Sequence, residues 1–298
     1  MPTNSMRGVF PILITPFDEA GRIDEESLRR LVDFDIAAGV HGLGVALGSE
    51  IFKLSEAERD HVTRIVVDQV RGRVPVVINT GAPGTDLAVL YSQAAEQNGA
   101  DALMILPPSF MPASAPEVLD YFRTINQAVK IPIFLQDTPT APIAAGLARQ
   151  LADECEWIRY IKVESIPITA KVAEMVAKAE DRLIVFGGAG GGYFIEELRR
   201  GSVGTMPFCS QPEAFVEVWN LCQTGDEHTA RTVFDRTIAP INRIAAQSPG
   251  IFYHVHKELL RHRGVIRTAK VRSPAPPVDA LTQRELNELL EELYPSDK

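Results

Sequence analysis

Cysteine is scarce: the 298-residue chain has three, Cys155, Cys209 and Cys222, and no close-spaced pair. Neither a disulfide framework nor a zinc site is indicated. No apolar run is long enough to span a bilayer, and Met1 to Arg7 lacks the apolar core of a secretory signal. The chain therefore reads as cytoplasmic, with no membrane partner. An excess of positive charge is also missing. Lys and Arg number 30 against 39 Asp and Glu, a formal net charge of −9. Nucleic acid is disfavoured as a main partner. An anionic small molecule is not, because one basic group can govern a pocket.

What is present is a regular alternation. Short β-type runs occur at Val9–Ile14, Gly42–Leu47, Val74–Thr80, Ala102–Leu106, Ile131–Gln136, Ile158–Val163, Leu183–Gly187 and Val203–Phe208. They are continuously apolar, as strands covered on both faces are. Helical faces lie between them, such as Leu28, Leu31, Val32 and Ile36, then Val62, Ile65, Val66 and Val70, then Leu87, Leu90, Tyr91 and Ala94. Ser55-x-x-Glu58 and Thr282-x-x-Glu285 read as capping boxes, and Pro116, Pro142 and Pro212 suit first helical positions. Eight β/α units predict an α/β fold, a (β/α)8 TIM barrel, over residues 1–225. A C-terminal helical extension over 226–298 is expected to pack on it. Ser273-Pro274-Ala275-Pro276-Pro277 is a stiff connector before a last helix whose apolar face is Leu286, Leu289, Leu290 and Leu293.

Catalysis in such barrels occurs at the C-terminal ends of strands. Those ends carry Gly48-Ser49-Glu50, Asn79-Thr80-Gly81, Pro107-Pro108-Ser109, Gln136-Asp137, Lys162-Val163-Glu164 and Gly187-Gly188. No His or Asp cluster with metal spacing occurs there, so neither a metal nor another cofactor is expected. Lys162 is the cationic nucleophile of the set. An amine in apolar surroundings loses hydration of its charged form, and more of it is the free base that attacks carbonyls. The matching chemistry is a Schiff base with a ketone, whose protonated imine lets a neighbouring C–H or C–C bond break. Backbone donors at Gly48 and Ser49, with the Ser49 hydroxyl, suit a carboxylate beside that ketone. Together these describe a small 2-oxo acid. Thr80 is open between a hydrogen bond to substrate and a turn cap. The Gly187-Gly188-Ala189-Gly190-Gly191-Gly192 run does not keep dinucleotide spacing. It reads as a side-chain-free rim of the barrel mouth in which Gly188 faces substrate, with a phosphate cradle as the alternative. His254, His256 and Cys209 read as packing residues.

At this point the chain resembles the dihydrodipicolinate synthase and N-acetylneuraminate lyase superfamily of class I aldolases and dehydratases. The residues that carry the resemblance are the opening Gly8-Val9-Phe10-Pro11-Ile12-Leu13-Ile14-Thr15-Pro16-Phe17 and the block Gly48-Ser49-Glu50-x-x-x-Leu54-Ser55-x-x-Glu58-Arg59. Gly72-Arg73-Val74-Pro75-Val76, Ile131-Pro132-Ile133 and Ile161-Lys162 follow in the same order. The resemblance implies that Lys162 is the Schiff-base lysine and that the Gly48-Ser49 loop holds the pyruvyl carboxylate. It also implies a homotetramer, a dimer of dimers.

The departures from that pattern narrow the reaction. Gln136 stands where the family has its strand-five tyrosine, Ser109 where a neighbouring subunit lends a second tyrosine, and Leu47 where a threonine links the two. Ala141 replaces the arginine that dihydrodipicolinate synthase uses for its aldehyde substrate. Gln136-Asp137, Ser49-Glu50 and Lys162-x-Glu164 resemble dehydratases of 2-keto-3-deoxy sugar acids, particularly the pentonate type. That resemblance implies an imine at C2, loss of a proton from C3 and loss of hydroxide from C4, with Glu164 or a water held by Gln136 as acid–base group. Glu50 reads as a brace for its loop. A pyruvate-releasing retro-aldolase and a non-catalytic 2-oxo-acid-binding barrel are the alternatives.

Overall fold

The apolar runs become parallel strands whose side chains alternate between two buried layers. A computed structural model of the chain describes residues 5–111 and 113–295. The first four residues of the Met1 to Arg7 stretch, and residues 296–298 of the extension, lie outside the described residues. The strands are β1 (Gly8–Val9), β2 (Leu43–Val45), β3 (Val76–Asn79), β4 (Ala102–Ile105), β5 (Ile133–Asp137), β6 (Ile158–Val163), β7 (Ile184–Gly187) and β8 (Gly204–Thr205). They form one parallel sheet in the order β1-β8-β7-β6-β5-β4-β3-β2. Ile12 closes the ring, bridging Phe208 on one side and Gly44 on the other. The (β/α)8 barrel expected from the sequence is the fold.

The barrel helices are α1 (Glu25–Ala37), α2 (Glu56–Val70), α3 (Thr85–Gln97), α4 (Ala115–Ala128), α5 (Ala145–Glu154), α6 (Ile168–Ala179), α7 (Phe194–Leu198) and α8 (Pro212–Gln223). Beyond them come α9 (Glu227–Val233), α10 (Ala239–Ala245), α11 (Phe252–His262) and α12 (Ala280–Leu293). No helix among the described residues is long and apolar enough to cross a membrane.

Several boundaries shift for identifiable reasons. The strands expected at 9–14, 74–80, 131–136 and 203–208 are shorter because Pro11, Pro75, Pro132 and Pro207 cannot donate to a ladder. The face Leu87, Leu90, Tyr91 and Ala94 is not the buried one. Ala88, Ser92 and Ala95 are buried and Leu90 is exposed, since small residues let α3 lie close to the sheet. The Ser55 capping box is present at α2. Thr282 is not a cap: α12 starts at Ala280, and Asp279 accepts from the Leu281 and Thr282 amides. Pro142 precedes α5 by a short loop instead of opening it.

The inner layer explains where chemistry becomes possible. Phe10, Phe134, Tyr160 and Phe186 point into the barrel, with Phe134 stacked on Tyr160 at a ring separation of 4.3 Å. Side chains two residues apart share a face of a strand. Two residues beyond Phe134, Tyr160 and Phe186 therefore stand Gln136, Lys162 and Gly188, directly above this aromatic floor.

The C-terminal helices are tied to the barrel mouth by a buried charge cluster. The Glu50 carboxylate meets the Lys257 ammonium of α11, both fully buried, and Lys53 at 3.0 Å. It also accepts the Arg272 backbone N–H at 3.1 Å. Burial lowers the Lys257 ammonium to about 8 although Glu50 favours its charge. Breaking a buried pair leaves an uncompensated charge, so Lys257→Met is expected to cost roughly 3 kcal/mol in urea unfolding. A loss below about 1 kcal/mol would mean that this cluster does not hold the extension in place.

Candidate active site

β5 and β6 lie in a register that sets Gln136 beside Lys162. Glu164 projects to the same side as Lys162, two residues further on. The Lys162 ammonium, on a side chain only 5% exposed, sits 2.9 Å from Glu164 Oε1. The Ala189 amide donates to the same oxygen at 3.2 Å, and Gln136 Nε2 donates to Oε2 at 3.1 Å. Asn79 Nδ2 in turn donates to Gln136 Oε1 at 3.0 Å. Because Asn79 occupies the carbonyl end of the Gln136 amide, the NH2 end is left to face Glu164. Three strands thus combine to orient one carboxylate against one lysine.

Gly188 is required for this packing. A Cβ there would fall 2.5 Å from Glu164 Cγ and 2.8 Å from Lys162 Cε. The glycine run after β7 folds as a short turn in which Gly190 and Gly191 take positive φ values of 67° and 73°, a conformation open to glycine. Its Ala189 N–H is committed to Glu164.

These groups open on a cavity of about 750 Å³. Lys162, Gln136, Glu164 and Gly48 are among the residues that line it. Its wall also includes Tyr193, Phe208 and, from α10, Asn242 and Arg243. Asn242 Nδ2 also donates to Gly190 O at 3.2 Å, joining α10 to the glycine turn.

Other sequence-derived assignments separate here. Ser49 is buried, with its hydroxyl donating to Leu13 O and accepting the Ala46 amide at 3.0 Å. Its own amide donates to Ala46 O at 2.8 Å. The expectation that Ser49 presents donors to a carboxylate is corrected: its donors hold the loop closed. Thr80 bonds Ser92 on α3 at 2.8 Å and does not line the cavity. Neither of its two readings describes this contact, which braces the end of β3 against α3. Asp137 is likewise internal, accepting from the Ile143 amide at 2.8 Å and from Ser165 and Lys171. Glu50 braces its loop through the cluster described above, at a left-handed φ of 56°.

Some residues of the site were not reachable from sequence pattern. Asn79 was visible at its strand end, but only the register of the closed sheet shows that it orients Gln136. Asn242, Arg243 and Tyr193 arrive through loop and helix geometry that no spacing announces. His256 does pack, its ring 4.1 Å from that of Phe208, and it also forms part of the cavity wall. Burial holds its imidazole at about 3, so it is uncharged. Among the described residues, no group of three or more His, Cys, Asp or Glu side chains is placed to hold a metal ion.

The chain is thus an α/β barrel protein with a buried lysine paired to a partly buried carboxylate at the C-terminal end of its sixth strand. The chain belongs to the Dihydrodipicolinate synthetase family, whose profile matches residues 5–293. It is 32% identical over 298 residues to the L-2-keto-3-deoxyarabonate dehydratase of Azospirillum brasilense, covering 97% of this chain and 95% of that one. It is 30% identical over 295 residues to the 4-hydroxy-tetrahydrodipicolinate synthase of Bartonella bacilliformis, covering 96% and 97%. Among solved structures it resembles YagE of E. coli K12, a protein of the dihydrodipicolinic acid synthase family crystallised with pyruvate. The TM-score is 0.91 at 26% identity, over 98% of this chain and 100% of YagE.

Since Gly188 touches both members of the pair, Gly188→Ala tests the packing directly. Overfilling is expected to cost about 1–3 kcal/mol in urea unfolding. A crystal structure of the variant is expected to show Lys162 and Glu164 beyond hydrogen-bond distance, and an unmoved pair would contradict this account.

Proposed function

We propose that the chain is a Schiff-base lyase of a 2-oxo acid and, within that class, a dehydratase of a 2-keto-3-deoxy sugar acid of the pentonate type. The observation that carries the reading is the Asn79–Gln136–Glu164–Lys162 chain. It places a carboxylate against the nucleophile itself, 2.9 Å away, in a site where the tyrosine relay of the wider family is replaced.

The reaction is assigned as follows. The Lys162 amine adds to C2 of the substrate, and the carbinolamine loses water to give an iminium. Glu164, already bonded to the lysine nitrogen, shuttles the protons of that step. The iminium acidifies C3, Glu164 removes one C3 proton, and the enamine electrons expel the C4 hydroxyl as it is protonated. Water then releases the product from Lys162. Gln136 acts by orienting Glu164 and by holding a water beside it. The Gly48 backbone at the cavity wall is assigned to the substrate carboxylate; Gly188, expected to face substrate, stands outside the cavity lining and instead leaves room for the Lys162–Glu164 pair. No metal or organic cofactor enters this scheme.

One observation separates this reading from lysine-pathway-type condensation. Condensation with an aldehyde that bears a second carboxylate is disfavoured by Ala141, which is buried and stands outside the cavity lining. Retro-aldol cleavage remains the second reading, because the same iminium serves C–C cleavage. Its products are pyruvate and an aldehyde, whereas dehydration yields a single product lacking one water. A homotetramer is retained from the family resemblance. It is supported by Phe110 and Met111, which leave apolar side chains 84% and 71% exposed after β4, near Ser109.

The test is incubation with each stereoisomer of 2-keto-3-deoxypentonate and mass analysis of the products. One isomer is expected to lose water without pyruvate appearing. Lys162→Ala is expected to abolish turnover, and Glu164→Gln to lower kcat by about a hundredfold or more. Pyruvate release would move the assignment to the aldolase, and full activity in Glu164→Gln would remove Glu164 from the mechanism.

A further inference from the structure

The catalytic pair has a second carboxyl group behind it that the proposed reaction does not use. Glu197 on α7 is 0% exposed, and neither of its oxygens has a hydrogen-bond partner among the described residues. It lies flat against the outer face of β7, where a Cβ on Gly187 would fall 1.7 Å from Glu197 Oε2. The next residue, Gly188, carries Lys162 and Glu164 on the opposite face. One peptide of two glycines therefore separates the Glu197 carboxyl from the catalytic pair. The Gly188 N–H faces this carboxyl without completing a hydrogen bond. Thr205, the register partner of Gly187, also buries a hydroxyl with no partner among the described residues.

A carboxylate cannot be left bare in such a place, because burying an unpaired charge is far more costly than burying the neutral acid. Burial pushes Glu197 up to about 8 from its ordinary 4.5, with Glu164 and Glu196 adding to the rise while the Gly188 amide and Lys162 oppose it. These are the charged groups that act on it: Glu196 from its own helix, and Lys162 and Glu164 from β6.

We propose that Glu197 is a positioning residue, held as a neutral acid, that supports the Gly187–Gly188 peptide beneath Lys162 and Glu164 and whose ionisation sets the alkaline limit of the site. The inference rests on the imine reading above. An ionised Glu197 would add a negative charge behind β7, stabilising the Lys162 ammonium against the amine that attacks ketones. The sign for stability is fixed as well. An acid raised on folding contributes stability that is full below about 4.5 and lost as pH rises through about 8.

The experiment compares wild type with Glu197→Gln, which keeps the shape and cannot ionise. Cyanoborohydride trapping of the pyruvate adduct is followed by intact mass across the pH range, beside thermal unfolding. Rates are expected to match near neutrality, with the variant about threefold faster than wild type one unit above the transition. The variant is also expected to gain melting temperature over wild type at alkaline pH and not at acid pH. Parallel rate profiles would overturn the proposal. If the variant fails to fold, infrared titration of the wild type decides. A protonated carboxyl band that persists at neutrality and disappears through about pH 8 supports the proposal. Its absence at neutrality overturns it. Should the wild type trap no adduct at all, the imine reading fails, while the melting and infrared measurements still test whether Glu197 is a neutral acid.

Discussion

One buried contact, the Lys162–Glu164 ion pair, depends on nearly every other feature of the barrel mouth being in place. Taking two charges out of water costs several kcal/mol for each, and their attraction offsets this only with good geometry and further hydrogen bonds. Glu164 has both. Its Oε1 receives Lys162 and the Ala189 amide, and its Oε2 receives Gln136. Each of those partners comes from a different strand or loop, so the pair exists only when β3, β5, β6 and β7 are closed in the observed register. The absence of a side chain at Gly188 leaves the volume that both groups occupy.

The C-terminal helices complete the site rather than merely follow it. Tyr253 of α11 donates to Leu47 O at 2.8 Å, and Lys257 one turn later reaches Glu50. Both contacts fall on the loop after β2, whose Gly48 faces the cavity. The same helical region supplies Asn242, Arg243 and His256 to the cavity wall. A loop that borders the cavity is thereby held by residues about two hundred positions away in the chain. This long-range fixing is how a barrel can vary its chemistry in loops while its strands stay the same.

The fold was legible because its signals are repeated: eight apolar runs, each followed by an amphipathic segment, point to one architecture. Lys162, Gln136 and Glu164 were legible because polar residues at the ends of buried strands are exceptions to the apolar pattern. Ser49 was misread because its type suits anion binding, whereas its donors are consumed by Leu13 and Ala46, a fact of loop closure. Thr80 was ambiguous for the same reason. Asn79 and Asn242 bond partners far away in sequence, and Glu197 packs on a glycine of the preceding strand; only the closed sheet and the packed helices bring these groups together. Stripe reading failed on α3 because close helix–sheet approach selects Ala88, Ser92 and Ala95 over larger apolar side chains.

The central claim is that Lys162, and no other lysine, bonds covalently to a 2-oxo acid. Borohydride reduction in the presence of pyruvate, followed by peptide mapping, tests it most directly. The account requires one stable adduct, located on the peptide that contains Lys162 and lost in Lys162→Ala. An unmodified protein, or an adduct on a different lysine, would contradict it.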